Sequence, residues 1–215
     1  MALFALNSEM VFPPVELSDP DGLLAIGGDL SVSRLLLAYR SGIFPWYEGE
    51  HILWWSPAPR FVLFPPELKV SKSMGQLLKK NSFSFSVNKA FDEVIKNCKS
   101  ISRSNQDGTW ITNEMRIAYI HLHELGYAHS AEVWQNEELV GGLYGIRLGN
   151  VFFGESMFSK VSNASKYGFI KYVKLLSDAQ TELIDCQVYT RHLESLGARM
   201  IERRDFTDLL KKYIP

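Results

Sequence analysis

Cysteine is nearly absent: Cys98 and Cys186 are the two in 215 residues, far apart and without a CxxC pairing. That argues against a disulfide framework and against a zinc knuckle. No stretch approaches the roughly eighteen apolar residues of a membrane span, and no opening segment joins a basic end to an apolar run, so a cytoplasmic location is expected. Repeats and low-complexity segments are missing too. His121 and His123 are two apart on an expected helix and face different directions, so they offer no metal site. Net charge is scarce at −1, but it is unevenly divided. Residues 69 to 103 hold eight Lys and Arg against two acids, a local +6 on a remainder of −7. That segment is either a solvated helical face or a contact for a phosphate backbone.

What is present is a core and a mixed order of elements. At 46% apolar the chain can fill a hydrophobic interior. SVSRLLLAYRSG reads as a helix capped by Ser31 or Asp29 and followed by Gly42. FPWYEGEHILWWSPAPR is irregular, interrupted by Pro45, Pro57 and Pro59, yet carries three of the five tryptophans. VSKSMGQLLKKN and NKAFDEVIKNCKS read as helices around an alternating strand, FSFSV, and another helix is expected from about Thr112 to Leu125. SAEVW, ELVGGLYGIRL and VFFGESMF then form an antiparallel meander, with turns at Gln135 to Glu137 and at Gly149-Asn150. A helix from Asn163 to about Leu176, a strand ELIDCQV, a helix RHLESLG, a strand ARMIE and a final helix DFTDLLKKY complete the order. The expected class is α/β (α+β), with a soft boundary near residues 108 to 114: a small mixed amino-terminal domain, 1–110, and a domain over 111–215 with a mostly antiparallel sheet flanked by helices.

Two apolar runs carry polar groups that a plain core would exclude. Glu155 lies inside FGESMFS, and Asp185 and Gln187 lie inside LIDCQV. On an extended strand Asp185 and Gln187 point to one face while Ile184, Cys186 and Val188 point to the other. An unpaired carboxylate in such a place is costly, so Glu155 requires a partner, either a substrate cation or hydroxyl or an internal Arg or Lys.

The carboxy-terminal order resembles the N-acetyltransferase superfamily, although VSNASKYG lacks the R/Q-x-x-G-x-G/A loop of its coenzyme A-using members. GLLAIGGDLS, GIFPWY, ILWWSPAPR, DGTWIT, LHELGYAHSAEVW, LVGGLYG, FGESMFS, NASK and LIDCQV, in that order, resemble the leucyl/phenylalanyl-tRNA-protein transferase family, and the resemblance runs from about Asp21 to Asp205. Leu143 stands where that pattern commonly has Met, and Gln76 where it commonly has a basic residue. The first exchange keeps the volume, and the second removes a possible phosphate contact.

The resemblance implies a cofactor-free enzyme that takes leucine or phenylalanine from leucyl-tRNA or phenylalanyl-tRNA. It joins that residue to proteins beginning with Arg or Lys, marking them for degradation. Gln187 would then meet the acceptor amine as a hydrogen-bond acceptor, Asp185 would supply negative potential, and Glu155 would complete the catalytic set. Leu143, Phe153, Met157, Phe169 and Ile184 are the hydrophobes offered for the amino-acid pocket, and ordinary core packing is the alternative for each. Trp46 and Trp110 are candidates for stacking on the terminal adenosine. Lys72, Lys79 and Lys80 are candidates for the tRNA backbone. The rival readings are a coenzyme A-dependent N-acetyltransferase and a non-catalytic tRNA-binding adaptor.

Overall fold

The computed structural model describes residues 3–80, 82–100 and 111–215. The leading segment builds a four-stranded sheet from β1 (Phe4–Leu6), β2 (Leu23–Gly27), β3 (Phe44–Pro45) and β4 (Leu53–Trp55), in the order β1-β2-β4-β3. Trp54 is fully buried at its centre, where its indole N–H donates to Gly27 O at 2.8 Å and Phe12 packs edge-on. Between β2 and β3 runs α1 (Val32–Arg40), capped by Ser31 Oγ, which accepts from Arg34 N. Its buried residues, Arg34, Leu35, Ala38 and Tyr39, recur at helical spacing, so one stripe of the helix faces inward. Gly42, at φ +75°, turns the chain out of the helix.

A seven-stranded sheet takes in the rest. Along the chain come β5 (Arg60–Leu63), α2 (Lys72–Lys79), β6 (Ser84–Val87), α3 (Phe91–Ser100), α4 (Asn113–Glu124), β7 (Ala128–Gln135), β8 (Glu138–Leu148) and β9 (Val151–Ser159). They are followed by α5 (Ala164–Asp178), β10 (Leu183–Gln187), α6 (Arg191–Glu194), β11 (Arg199–Ile201) and α7 (Arg203–Tyr213). The strand order is β11-β5-β10-β9-β8-β7-β6, and β9 with β10 is the parallel pair in an otherwise antiparallel sheet. A division at residue 110 does not follow this sheet. Both β5 and β6 precede that residue and belong to it, and β5 lies between β11 and β10. The smaller sheet closes at Trp55, so the change of sheet falls between residues 55 and 60.

Helices cover both faces, which is why β8 is buried along nearly its whole length. On one face α5 packs Ala164, Phe169, Ile170 and Val173 with Leu143, Phe152 and Ile184. On the other, Val94 and Ile95 of α3 with Met115, Tyr119 and Leu122 of α4 meet Tyr144, Ile146 and Phe153. The meander is not regular. Tyr144 pairs with Ser156 and Gly145 with Gly154, so Glu155 is the extra residue of a β-bulge. The bulge brings the β9 backbone so close to β8 that a Cβ on Gly145 would stand 2.1 Å from Phe153 O.

Gly145→Ala should therefore lower the unfolding free energy by about 3 kcal/mol, the upper part of the overpacking range, seen as a lower urea midpoint at an unchanged slope. A wild-type midpoint would mean that β9 can retreat from β8 at this point.

Candidate active site

The site grows from the place where the parallel pair ends. β9 and β10 pair only through Leu183–Val151, Ile184–Phe152 and Asp185–Phe153, after which β9 continues with β8 alone. The strands part there and open a cleft of about 480 Å³, within the ~300–1,000 Å³ range of ligand sites. Its apolar wall contains Leu143, Phe152, Met157, Phe169 and Ile184, and Gln187, Thr190 and His192 bring polar groups to it.

β10 ends in a local distortion. Asp185 pairs with Val62 and Gln187 with Phe61, leaving Cys186 as an extra residue. Gln187 adopts φ +60°, a conformation a non-glycine residue rarely takes. Two hydrogen bonds hold it there: Gln187 N donates to Asp185 Oδ1 at 2.9 Å, and Val188 N donates to Cys186 O at 2.7 Å across a three-residue turn. The Gln187 amide then donates from Nε2 to Glu155 Oε1 at 2.8 Å. Because a carboxyl oxygen is the acceptor, that end of the amide is the NH2, and its carbonyl oxygen is left for a further donor.

Asp185 does not present a free charge to the cleft. Arg60 Nε and Nη2 donate to its two oxygens at 2.8 and 2.7 Å, with both side chains essentially without solvent exposure. The guanidinium is held between the rings of Phe44 and Phe206, 4.8 and 4.7 Å from their centroids. Asp185 is expected to supply negative potential to a substrate amine, and in this structure that charge is already matched by the bidentate pair. Its carboxylate anchors Arg60 and the Gln187 backbone.

Among the described residues no cation pairs with Glu155. Tyr39 OH lies at hydrogen-bond distance from its Oε1, 2.8 Å, and Tyr119 OH from its Oε2, 2.9 Å, and the two hydroxyls also bond to each other. Burial raises the carboxyl from its ordinary 4.5 to about 7; the Tyr39, Tyr119 and Gln187 hydrogen bonds pull the other way, and the Asp185 charge adds to the rise. Burial likewise pushes both tyrosine hydroxyls well above their usual value.

The remaining sequence candidates divide. Leu143, Met157, Phe169 and Ile184 line the cleft together, but Phe153 does not. The bulge at Glu155 reverses the alternation of β9, so Phe152 faces the α5 side in its place while Phe153 packs against the Tyr39 ring at 5.1 Å. Trp46 packs against Trp55, 5.7 Å between ring centroids, and is not in the cleft wall. Trp110 lies outside the described residues. Lys72, Lys79 and Lys80 are exposed at the two ends of α2. Lys80 and Asn163 border a small second cleft, next along α5 from Ser165, which lines the large one.

Sequence reasoning missed Arg60, Tyr39, Tyr119 and His192. The first three had a signal: a buried tyrosine on the apolar stripe of a helix needs a hydroxyl partner, and an arginine entering the apolar run FVLF needs a carboxylate. His192 carries a buried Nε2 without a hydrogen-bond partner among the described residues, and burial lowers its pKa.

The raised Glu155 pKa has a consequence for stability. A folded carboxyl that holds its proton up to about 7, against 4.5 when unfolded, favours the folded state below 4.5 and loses that advantage as pH rises through about 7. The difference in unfolding free energy between wild type and Glu155→Gln should therefore fall by about 3 kcal/mol over that interval. Parallel stability curves for the two proteins would remove the raised pKa.

A family model described as leucyl/phenylalanyl-tRNA protein transferase matches residues 62–211, and one for its N-terminal domain matches residues 28–58. The two meet where one sheet gives way to the other. A leucyl/phenylalanyl-tRNA–protein transferase from Syntrophus aciditrophicus is 59% identical over 213 residues, covering 99% of this chain and 89% of that protein. One from Flavobacterium johnsoniae is 59% identical over 210 residues, covering 97% and 99%. Among solved structures, a GCN5-related N-acetyltransferase from Kribbella flavida aligns with a TM-score of 0.43 and 8% identity, over 77% of this chain and 59% of that one, too distant to bear on function. The chain belongs to the leucyl/phenylalanyl-tRNA–protein transferase family.

Proposed function

We propose that this enzyme, an aminoacyl-tRNA transferase by family, moves leucine or phenylalanine from its tRNA onto the amino terminus of proteins that begin with Arg or Lys. The observation that carries the reading is Gln187, whose NH2 is committed to Glu155 at the edge of an apolar cleft, leaving its carbonyl for an incoming amine. Leu143, Met157 and Phe169 suit an unbranched, bulky side chain, and the methionine thioether adapts to both leucine and phenylalanine. Lys72, Lys79 and Lys80 remain proposals for the tRNA backbone. The position of Lys80 next to the first turn of α5 supports a strand of nucleic acid leaving the cleft in that direction.

Aminolysis of an aminoacyl ester needs little base. The acceptor amine, with an ordinary pKa of roughly 7.7 to 8.0, has a useful neutral fraction near pH 7. Alignment of its lone pair with the ester carbonyl supplies the acceleration, which for good geometry reaches about 7 to 11 kcal/mol. In this scheme the amine donates an N–H to Gln187 Oε1 and attacks the carbonyl carbon. The ester C–O bond breaks, and the proton lost by the amine goes to the ribose oxygen that leaves. Asp185 takes no proton, because Arg60 holds both of its oxygens.

Radiolabelled leucyl-tRNA should place label on a peptide that begins with arginine, whereas acetyl-coenzyme A should support no transfer. Gln187→Glu, a far better base of nearly the same shape, should be slower than the parent by about 10-fold or more in single turnover from pH 6 to 9. Its carboxyl would sit against Glu155, and the pair would compete for one proton. Transfer from acetyl-coenzyme A alone would overturn the function, and a faster Gln187→Glu enzyme would replace positioning with general base catalysis.

A further inference from the structure

The cluster beneath Gln187 can be counted in protons. Tyr39 OH, Tyr119 OH and the Glu155 carboxyl make three mutual oxygen–oxygen hydrogen bonds. Each hydroxyl brings a single proton, and an ionised carboxylate brings none. Two protons cannot fill three bonds, so with an ionised Glu155 one of the contacts would set bare lone pairs against each other in a buried place. A third proton on Oε2 closes the ring: Glu155 Oε2–H donates to Tyr119, Tyr119 donates to Tyr39, and Tyr39 donates to Glu155 Oε1. That placement also leaves Oε1, the better acceptor, for Gln187 Nε2.

The surroundings agree with this count. Among the described residues, the groups facing the carboxyl are Tyr39 from α1, Tyr119 from α4, and Asp185 with Gln187 from β10, while Tyr144 from β8 packs edge-on against the Tyr119 ring. No cation is among them, because Arg60 is taken up by Asp185. An uncompensated negative Glu155 would also sit near the negative Asp185.

We propose that the resting enzyme keeps Glu155 as the neutral acid in a closed ring with Tyr39 and Tyr119, and that these two tyrosines are positioning residues which, through Glu155, hold the Gln187 carbonyl toward the acceptor amine. The step from ring to catalysis rests on the role given to Gln187 above. The protonation of the ring does not, and it is measured separately. Loss of the proton empties the Tyr39–Tyr119 bond, the hydroxyls move apart, and the carboxyl that anchors Gln187 shifts with them. Transfer therefore declines as pH rises through the titration of the ring.

Infrared difference spectra of wild type minus Glu155→Gln, recorded on the whole chain without substrate, test the first half. At pH 6, where exposed carboxyls are ionised, a protonated carboxylic acid C=O band should be present in wild type and disappear as the pH is raised to 9. A spectrum with only carboxylate bands at pH 6 overturns the ring, whatever the activity. Single-turnover transfer tests the second half, with each variant checked for folding by its thermal transition. Tyr39→Phe and Tyr119→Phe should each lower the rate constant about 10-fold, with the KM for aminoacyl-tRNA unchanged. Glu155→Gln, whose amide supplies both a donor and an acceptor, should recover part of the rate lost in Glu155→Ala and should lack the decline above neutral pH. Superimposable pH profiles for wild type and Glu155→Gln, or tyrosine variants that change KM alone, overturn the positioning role even where transfer itself is confirmed.

Discussion

The ion pair between Arg60 and Asp185 ties the site to the fold. Taking both charges out of water is costly, and the cost is offset only by good geometry. Here the geometry is bidentate, and the flat guanidinium lies between Phe44 of β3 and Phe206 of α7. One contact thus joins four parts of the molecule: the edge of the small sheet, the first strand of the large one, the carboxy-terminal helix and β10. The same Asp185 oxygen that meets Arg60 Nε also receives the Gln187 N–H, so the pair reaches directly into the distorted end of β10.

That arrangement sets the electrostatics of the cleft. With Asp185 compensated and Glu155 under hydroxyls, neither carboxyl offers an open negative charge to a substrate. The groups that remain are oriented dipoles, led by the Gln187 carbonyl. A site of this kind suits a reaction whose donor is already activated as an ester and whose nucleophile is an amine near its own pKa. Preorganised dipoles in a partly dry cleft stabilise developing charge without reorganising. The strain at Gln187, held at φ +60° by two hydrogen bonds, belongs to the same design, since it aims one side chain at the cost of a regular strand.

Much of the fold was legible because period and punctuation agree with it. The Ser31 cap and the Gly42 turn bound α1, Thr112 caps α4, and the meander turns fall where the sequence sets them. The polar intrusions Glu155, Asp185 and Gln187 were legible as a candidate site for the same reason, since a core excludes them without a partner. The partners were less so. Two bulges, at Glu155 and at Cys186, shift parity where strict alternation was assumed, and this put Phe153 in a pocket that Phe152 occupies. Neither bulge has a local sequence signature apart from the glycines opposite and beside Glu155. Arg60 lies 125 residues from Asp185, and Tyr39 lies 116 from Glu155; separations of that size are set by topology, which local pattern does not encode. The large sheet does not follow a division near residue 110 on the same ground, because β5 and β6 are recruited across it.

The most direct measurement is the unfolding free energy of Asp185→Asn set beside its transfer rate. If Asp185 works by holding Arg60 and the Gln187 backbone, the substitution leaves a buried guanidinium without its counter-charge. Stability should then fall by about 3 to 5 kcal/mol along with the rate. Wild-type stability with transfer lost would mean that Asp185 acts as an open charge toward the substrate, and would contradict the account.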